Sequence, residues 1–291
     1  MAKPLQIITD PRCTEYSQTG HPERPQRISG TVERLRAQTD LPLAWAQPEP
    51  APEEALLRAH TPEHLRALAN PASDFDADTP AYPKINEHAR RSAGGGLMAL
   101  AAAGKGERAF SLLRPPGHHA TKNRAMGFCY LSSVAIAVLE ARAKGIGKVA
   151  VFDFDVHHGN GTEAILLDQP GCAFFSVHQH PAYPGTGTQS VRNCHNYPMP
   201  PHSPREKYRA ALEQAFADLK QFKPDLIGVS AGFDAYRRDP LCDEPLEKED
   251  FYWLGEMIRK SGLPAFSVLE GGYSNDLPEL ILAYLKGWAG E

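Results

Sequence analysis

The sequence predicts an α/β domain built on a parallel β-sheet with helices on both faces. Three observations carry this: short apolar runs without polar interruption, helical patterns between them, and a polar or glycine-rich cluster directly after each inner run. Strands buried on both faces read as continuous hydrophobic runs, whereas half-exposed antiparallel strands alternate. Here the runs are residues 5–9, 108–113, 148–152, 172–177, 225–230 and 265–269. Helices are expected over 24–37, with Ile28, Val32 and Leu35 on one stripe, and over 86–103, 130–144, 204–221, 248–261 and 277–285. Residues 52–68 read as one or two short helices between two Pro-rich connections, 42–52 and 71–83. Strand–helix alternation of this kind forms crossover units on a parallel sheet.

The 291 residues, 42% of them hydrophobic, suffice for one large domain with a sizeable core, expected to span 1–291. No repeat or Gly/Ser linker divides the chain. The net charge is −4, and no run of Lys and Arg is present, so nucleic acid and anionic membranes are not expected partners. Five scattered cysteines, none in a Cys-x-x-Cys pair, argue against a disulfide framework and against a thiolate metal site. The first ten residues lack a signal-peptide pattern and no apolar run is long enough to span a bilayer, so a cytoplasmic location is expected.

The clusters at the strand ends are Arg114-Pro-Pro-Gly-His118-His119, Asp153-Phe-Asp155-Val-His157-His158-Gly159, His178-Gln-His180, Ala231-Gly-Phe-Asp234 and Glu270-Gly-Gly-Tyr273. Open α/β sheets form their sites beyond the carboxyl ends of the strands, so five segments are expected to deliver His, Asp and Tyr to one edge. If the backbone stays extended, Asp153, Asp155 and His157, spaced by two, point the same way. Asp155, His157 and Asp234 make a three-ligand N/O set with a position left open, as in catalytic rather than structural metal sites. That donor set points to Zn²⁺, with Fe²⁺ or Co²⁺ as alternatives.

The order and spacing of these blocks resemble the zinc-dependent histone deacetylases and their bacterial deacetylase-like relatives, within the arginase–deacetylase superfamily. The resemblance runs from His21-Pro-Glu-Arg-Pro-Gln-Arg27 through Glu270-Gly-Gly-Tyr273. It implies an eight-stranded parallel sheet and a narrow tunnel for an acylated amine, with zinc held at its base by Asp155, His157 and Asp234. By the same resemblance His118 and His119 match the tandem histidines flanking the reacting water, and Tyr273 matches the transition-state tyrosine. Asp153 lies beneath His118, and Asp153 with Ser176 matches a structural potassium site. Gly127 and Phe128 match the tunnel wall, Tyr183 the facing aromatic, Asp78 the rim aspartate and Arg27 the arginine of an internal cavity. Asn160 stands where class I enzymes carry an aspartate partnering the second histidine, which makes the chain more similar to class II.

The chemistry needs these residue types. A metal ion acidifies water and polarises an amide carbonyl, a histidine near neutrality accepts the water's proton and returns one to the leaving amine, and a hydroxyl donor shelters the oxyanion. His119 is the expected general base and acid, His118 an electrostatic partner, and Tyr273 the oxyanion donor. Acylated lysine, in a protein or as a small acylated amine, is the expected substrate. An acetylpolyamine amidohydrolase is the alternative, but Leu241 occupies the position where a polyamine-selective relative carries an acidic gatekeeper. A binuclear arginase-type centre would need carboxylates where Gly159 and Tyr236 stand. A noncatalytic acyl-amine binding module remains as a third reading. Of the remaining histidines, His21, His60, His64 and His88 are expected to be surface or packing residues. His195 and His202 are assigned to a loop, and His178 and His180 to the site edge. The Gly94-Gly-Gly96 run is expected to serve close helix packing.

Overall fold

A computed structural model of the chain, described here for residues 4–291, contains one eight-stranded sheet in the order β2-β1-β3-β8-β7-β4-β5-β6, parallel throughout. The strands are β1 (Leu5–Ile8), β2 (Leu43–Ala46), β3 (Ala109–Ser111), β4 (Val149–Asp153), β5 (Cys172–Gln179), β6 (Cys194–Met199), β7 (Leu226–Ala231) and β8 (Ala265–Leu269). The helices are α1 (Gln26–Ala37), α2 (Glu53–Ala59), α3 (Pro62–Ala69), α4 (Ile85–Ala103), α5 (Ser133–Ala143), α6 (Asn160–Leu166), α7 (Arg205–Phe222), α8 (Lys248–Lys260) and α9 (Leu277–Ala289).

The six apolar runs all form strands. The two that no run announced, β2 and β6, are the sheet's two edges. An edge strand buries less of itself and tolerates proline, so its sequence lacks the continuous apolar signature. Strand β2 is half-buried along its length, and β6 carries Pro198. His195 therefore lies in a strand, stacked on Phe175 at 4.6 Å between ring centroids, and not in a loop; His202 does lie in one.

Strand β5 also runs two residues past its predicted end and takes in His178, which is buried within the strand instead of following it. Residues i and i+2 share a strand face, and the Ser176 hydroxyl and His178 Nδ1 pair at 2.9 Å. Helix α5 starts three residues later than expected, leaving 130–132 in the loop that approaches the site.

The inner strands are buried from end to end, and the core extends into the helices on both faces. The three glycines of α4 serve contact. A methyl group at Gly94 would lie 1.9 Å from the Glu49 carbonyl oxygen, at Gly95 2.4 Å from Leu113 and Ser111, and at Gly96 3.0 Å from the Ser133 carbonyl oxygen. His60, His64 and His88 are buried packing residues, and His21 is half-buried. No helix among the described residues is long and apolar enough to cross a membrane.

Candidate active site

The loops following β3, β4, β7 and β8 meet at one edge of the sheet. Strand β4 ends at Asp153, and the chain then leaves the extended conformation. Two side-chain-to-backbone bonds of the Asx type shape the turn: Asp153 Oδ1 accepts from the Asp155 N–H at 3.2 Å, and Asp155 Oδ1 from the His157 N–H at 2.9 Å. The expectation of an extended Asp-x-Asp-x-His segment is thus corrected. Convergence arises because each aspartate caps the residue two ahead. The loop after β7 adds Asp234, whose Oδ1 accepts from the Val156 N–H at 2.8 Å.

Asp155, His157 and Asp234 are buried, and one ligand-capable atom from each lies within 4.8 Å of the others. His157 Nδ1 is 3.2 Å from Asp155 Oδ1 and 3.0 Å from Asp234 Oδ2. Burial raises the pKa of Asp234, and the neighbouring Asp155 charge raises it further. Burial opposes charge on His157, yet its two carboxylate neighbours raise its pKa well above the usual imidazole value. Two buried carboxylates thus demand positive charge at the point where they and Nδ1 converge, and a divalent cation meets that demand more fully than a proton. The surrounding backbone is shaped to match. A Cβ at Gly232 would fall 2.2 Å from Asp155 Oδ2, and one at Gly271 2.1 Å from Asp234 Oδ2. The donor set fits a metal with N/O preference.

His118 and His119 follow β3, their rings 4.0 Å apart. His118 Nδ1 lies 3.2 Å from Asp153 Oδ2 and its Nε2 3.7 Å from Asp155 Oδ1. Burial works against its charge, but Asp155 and Asp153 outweigh it and hold the imidazole up at about 10. His119 is the opposite case. Burial and then the positive charge on His118 and His157 push its pKa well below the ordinary value. Its Nδ1 lies 2.8 Å from Asn160 Oδ1. An amide oxygen only accepts, so Nδ1 carries the proton and Nε2 presents a bare lone pair. Asn160 is the first residue of α6, which the apolar pattern did not announce.

Gly127, Phe128, Tyr183 and Tyr273 pack next to these groups. Gly127 and Phe128 both have left-handed backbone, at φ 57° and 68°. A side chain at Gly127 would strike the His119 ring at 2.6 Å and Tyr183 at 2.7 Å. The Tyr183 ring stands edge-on to His119 at 5.0 Å, and Phe128 edge-on to Tyr273 at 5.7 Å. His21 packs on the far side of Phe128 at 4.7 Å and approaches the Asp78 carbonyl oxygen at 3.2 Å; the Asp78 side chain is exposed. Beside Tyr273 opens a cleft of about 1000 Å³ lined by His21, Arg24, Arg238, Leu241 and Asp276, among others. Ser176 is register partner to Asp153 across β4 and β5. His180 is half-buried.

Four further side chains support the site. Glu270 accepts from the backbone N–H groups of Gly117 (2.6 Å) and His118 (3.0 Å), tying the β8 loop to the histidine loop. Arg27 reaches from α1 to the Gly272 carbonyl at 2.7 Å and to that of Glu270, with its guanidinium 4.8 Å from the Tyr273 ring centroid. Cys242 Sγ lies 3.4 Å from His157 Nε2. Asp239 accepts from the N–H groups of Leu241, Tyr273 and Ser274. Of these, only the Glu-Gly-Gly-Tyr motif drew attention to Glu270, and only the family resemblance to Arg27.

Comparison with known proteins agrees with this architecture. The histone deacetylase domain matches residues 21–286. A probable deacetylase of Methanothermobacter thermautotrophicus is 38% identical over 301 residues, covering 98% of this chain and 91% of the relative. The crystal structure of the HDA15 HD domain superposes with a TM-score of 0.91 at 30% identity, covering 99% of this chain and 90% of that one. An acetylpolyamine aminohydrolase from Burkholderia pseudomallei gives 0.86 at 27% identity, with 98% of both chains covered. Together with the buried Asp155–His157–Asp234 group, these likenesses place the chain in the histone deacetylase domain family, as a deacetylase or amidohydrolase.

Proposed function

We propose that the protein hydrolyses the acyl amide of an acylated lysine or a related neutral-stemmed amine, using a single zinc ion held by Asp155, His157 and Asp234. The observation that carries this is the meeting, in one buried pocket, of a three-ligand N/O set with the adjoining His118 and His119 rings and a tyrosine. A bound divalent ion supplies Lewis acidity, polarising the acyl carbonyl and acidifying water. The protein's own groups do the rest. His119 Nε2, left bare because Nδ1 donates to Asn160, takes the water's proton and returns it to the leaving amine. His118, paired with Asp153, adds positive potential beside the developing oxyanion. The Tyr273 hydroxyl donates to that oxyanion. Asp153 and Ser176, opposite each other on β4 and β5, hold a structural potassium ion in this reading. Iron(II) or cobalt(II) suits the same donors.

The mouth favours a neutral arm over a polyamine. Leu241 is 38% exposed and lines the cleft beside Tyr273. The arginines of that cleft are Arg24, bonded to the neutral Asn275 at 2.6 Å, and Arg238, paired with Asp276 at 2.9 Å. A second ammonium finds no carboxylate at position 241 and one already paired at 276. In this reading Asp78, exposed and next to His21 of the cleft, receives substrate backbone amides. The test is the ratio of kcat/KM for an acetyl-lysine peptide to that for acetylated polyamines, at one ionic strength. Wild type is expected to favour acetyl-lysine. Leu241→Glu should shift the ratio toward polyamines by about tenfold, since a charge-assisted contact contributes about 1.5–3 kcal/mol. A wild type that prefers polyamines overturns the substrate reading, and one inactive on every acyl amide overturns the function.

A further inference from the structure

Strand β8 ends at Leu269, and the four residues that follow carry Tyr273 across the floor of the site with little backbone pairing. Glu270 N–H donates to the Ala231 carbonyl and Gly271 N–H to Asp155 Oδ2. The Arg27 guanidinium holds this segment from one side by its carbonyls, at Glu270 and Gly272. From the other side a single carboxylate holds it by its amides. Asp239 Oδ2 accepts from the Tyr273 N–H at 2.7 Å and from the Ser274 N–H at 3.1 Å. Oδ1 of the same carboxylate accepts from the Leu241 N–H at 3.1 Å. Asp239 is 7% exposed, and its own N–H is fixed to the Tyr236 carbonyl at 2.8 Å. Among the described residues, Asp239 is the only acceptor for the Tyr273 amide.

We propose that Asp239 is the positioning residue of Tyr273, one carboxylate setting both the height of the tyrosine hydroxyl over the site and the placement of Leu241 at the mouth. The inference rests on reading Tyr273 as the oxyanion donor. Donor placement matters because an oxyanion contact counts only when it meets the position of the developing charge, and a shift of about 1 Å can cost about 10²-fold in rate. A carboxylate can accept on both sides at once. Asparagine presents one oxygen and one NH₂ group, so at least one of the three amides would face a donor instead of an acceptor. A buried N–H left unpaired is relieved by moving the backbone that bears it. That backbone carries Tyr273 when the asparagine NH₂ takes the place of Oδ2, and Leu241 when it takes the place of Oδ1, whereas Asp239→Ala leaves all three amides without this acceptor.

The experiment is a double-mutant cycle between Asp239→Asn and Tyr273→Phe, with zinc content and thermal melting recorded for each purified protein. Asp239→Asn is nearly isosteric and is chosen over Asp239→Ala to preserve folding; Asp239→Ala provides a second series. In the wild-type background Asp239→Asn is expected to lower kcat by about tenfold or more while KM changes less than threefold. In the Tyr273→Phe background the same substitution should lower kcat less than threefold, because the hydroxyl it positions is already gone. Equal losses in the two backgrounds would show a general structural role and overturn the proposal, as would a kcat left unaltered by both Asp239→Asn and Asp239→Ala in the wild-type background. If Tyr273→Phe alone keeps full activity, the tyrosine's own role fails, and the positioning role falls with it. That outcome is distinct from a harmful Tyr273→Phe combined with additive losses.

Discussion

Tyr273 is largely buried but borders the cleft. Burial raises its pKa well above that of an ordinary phenol, opposed by Arg27 and reinforced by the charges of Asp155 and Asp234. It therefore stays a neutral donor across the accessible pH range. Tyr273→Phe should leave fold and metal content intact and lower kcat by about 10²–10³, the usual loss for one oxyanion donor. Steady-state kinetics beside elemental analysis checks this, and a Phe variant within threefold of wild type would remove the hydroxyl from the mechanism. At this scale the site was legible where chemistry dictates residue type. Histidines, aspartates and a tyrosine at strand ends announce themselves. Asp239 and Cys242 did not, because their importance lies in partners 34 and 85 residues away, and no local pattern encodes those contacts.

At the scale of elements, the loop bearing Gly127 and Phe128 hangs on a buried histidine pair that composition alone marked as bland. His60 ends α2. Its Nδ1 bonds the Thr121 carbonyl oxygen at 2.9 Å and its Nε2 accepts from the Ser132 N–H at 3.0 Å, while His64 on α3 bonds the Tyr130 carbonyl oxygen at 2.8 Å. These contacts brace both ends of the loop bearing Gly127 and Phe128. Burial, then repulsion from His64, lowers the His60 pKa from 6.5 to about 3, so the native state holds it neutral. A base depressed on folding contributes stability that is fully present above its unfolded pKa and is lost as pH falls toward its folded value. Between pH 6.5 and pH 3, His60 should therefore cost up to about 1.4 kcal/mol of stability per pH unit. Glu244 acts in the opposite sense. Buried without a hydrogen-bond partner among the described residues and pushed up to about 8, it loses stability as pH rises from about 4.5 to 8. Urea unfolding of wild type and His60→Gln across this range separates the two. The variant should be less stable at pH 7, and the gap should narrow as pH falls toward 4. A gap independent of pH would mean that His60 does not stay neutral in the fold.

For the molecule as a whole, the inner sheet was readable because strands buried on both faces leave no room for polar residues. The edges were not, because half-buried strands such as β2 and β6 obey weaker constraints. The same logic of burial makes the site a burden on the fold. Asp155 and Asp234 are both fully buried and close enough that one raises the other's pKa. Without a cation, the Asp234 charge is disfavoured there, and ligand binding to the native state alone offsets such a cost by RT ln(1 + [L]/Kd), about 2.7 kcal/mol at a hundredfold excess over Kd. Asp234→Asn retains the oxygen that accepts from Val156 while removing one of the two like charges. In chelator, this variant should melt at or above the temperature of wild type. With stoichiometric zinc the order should reverse, because wild type gains several degrees and the variant gains little. Melting curves of both proteins with and without metal decide the matter. An equal zinc-induced rise in Asp234→Asn would remove Asp234 from the ligand set. A variant much less stable than wild type in chelator would show that the buried carboxylate pair stabilises the fold by itself and that the site carries no metal-dependent strain.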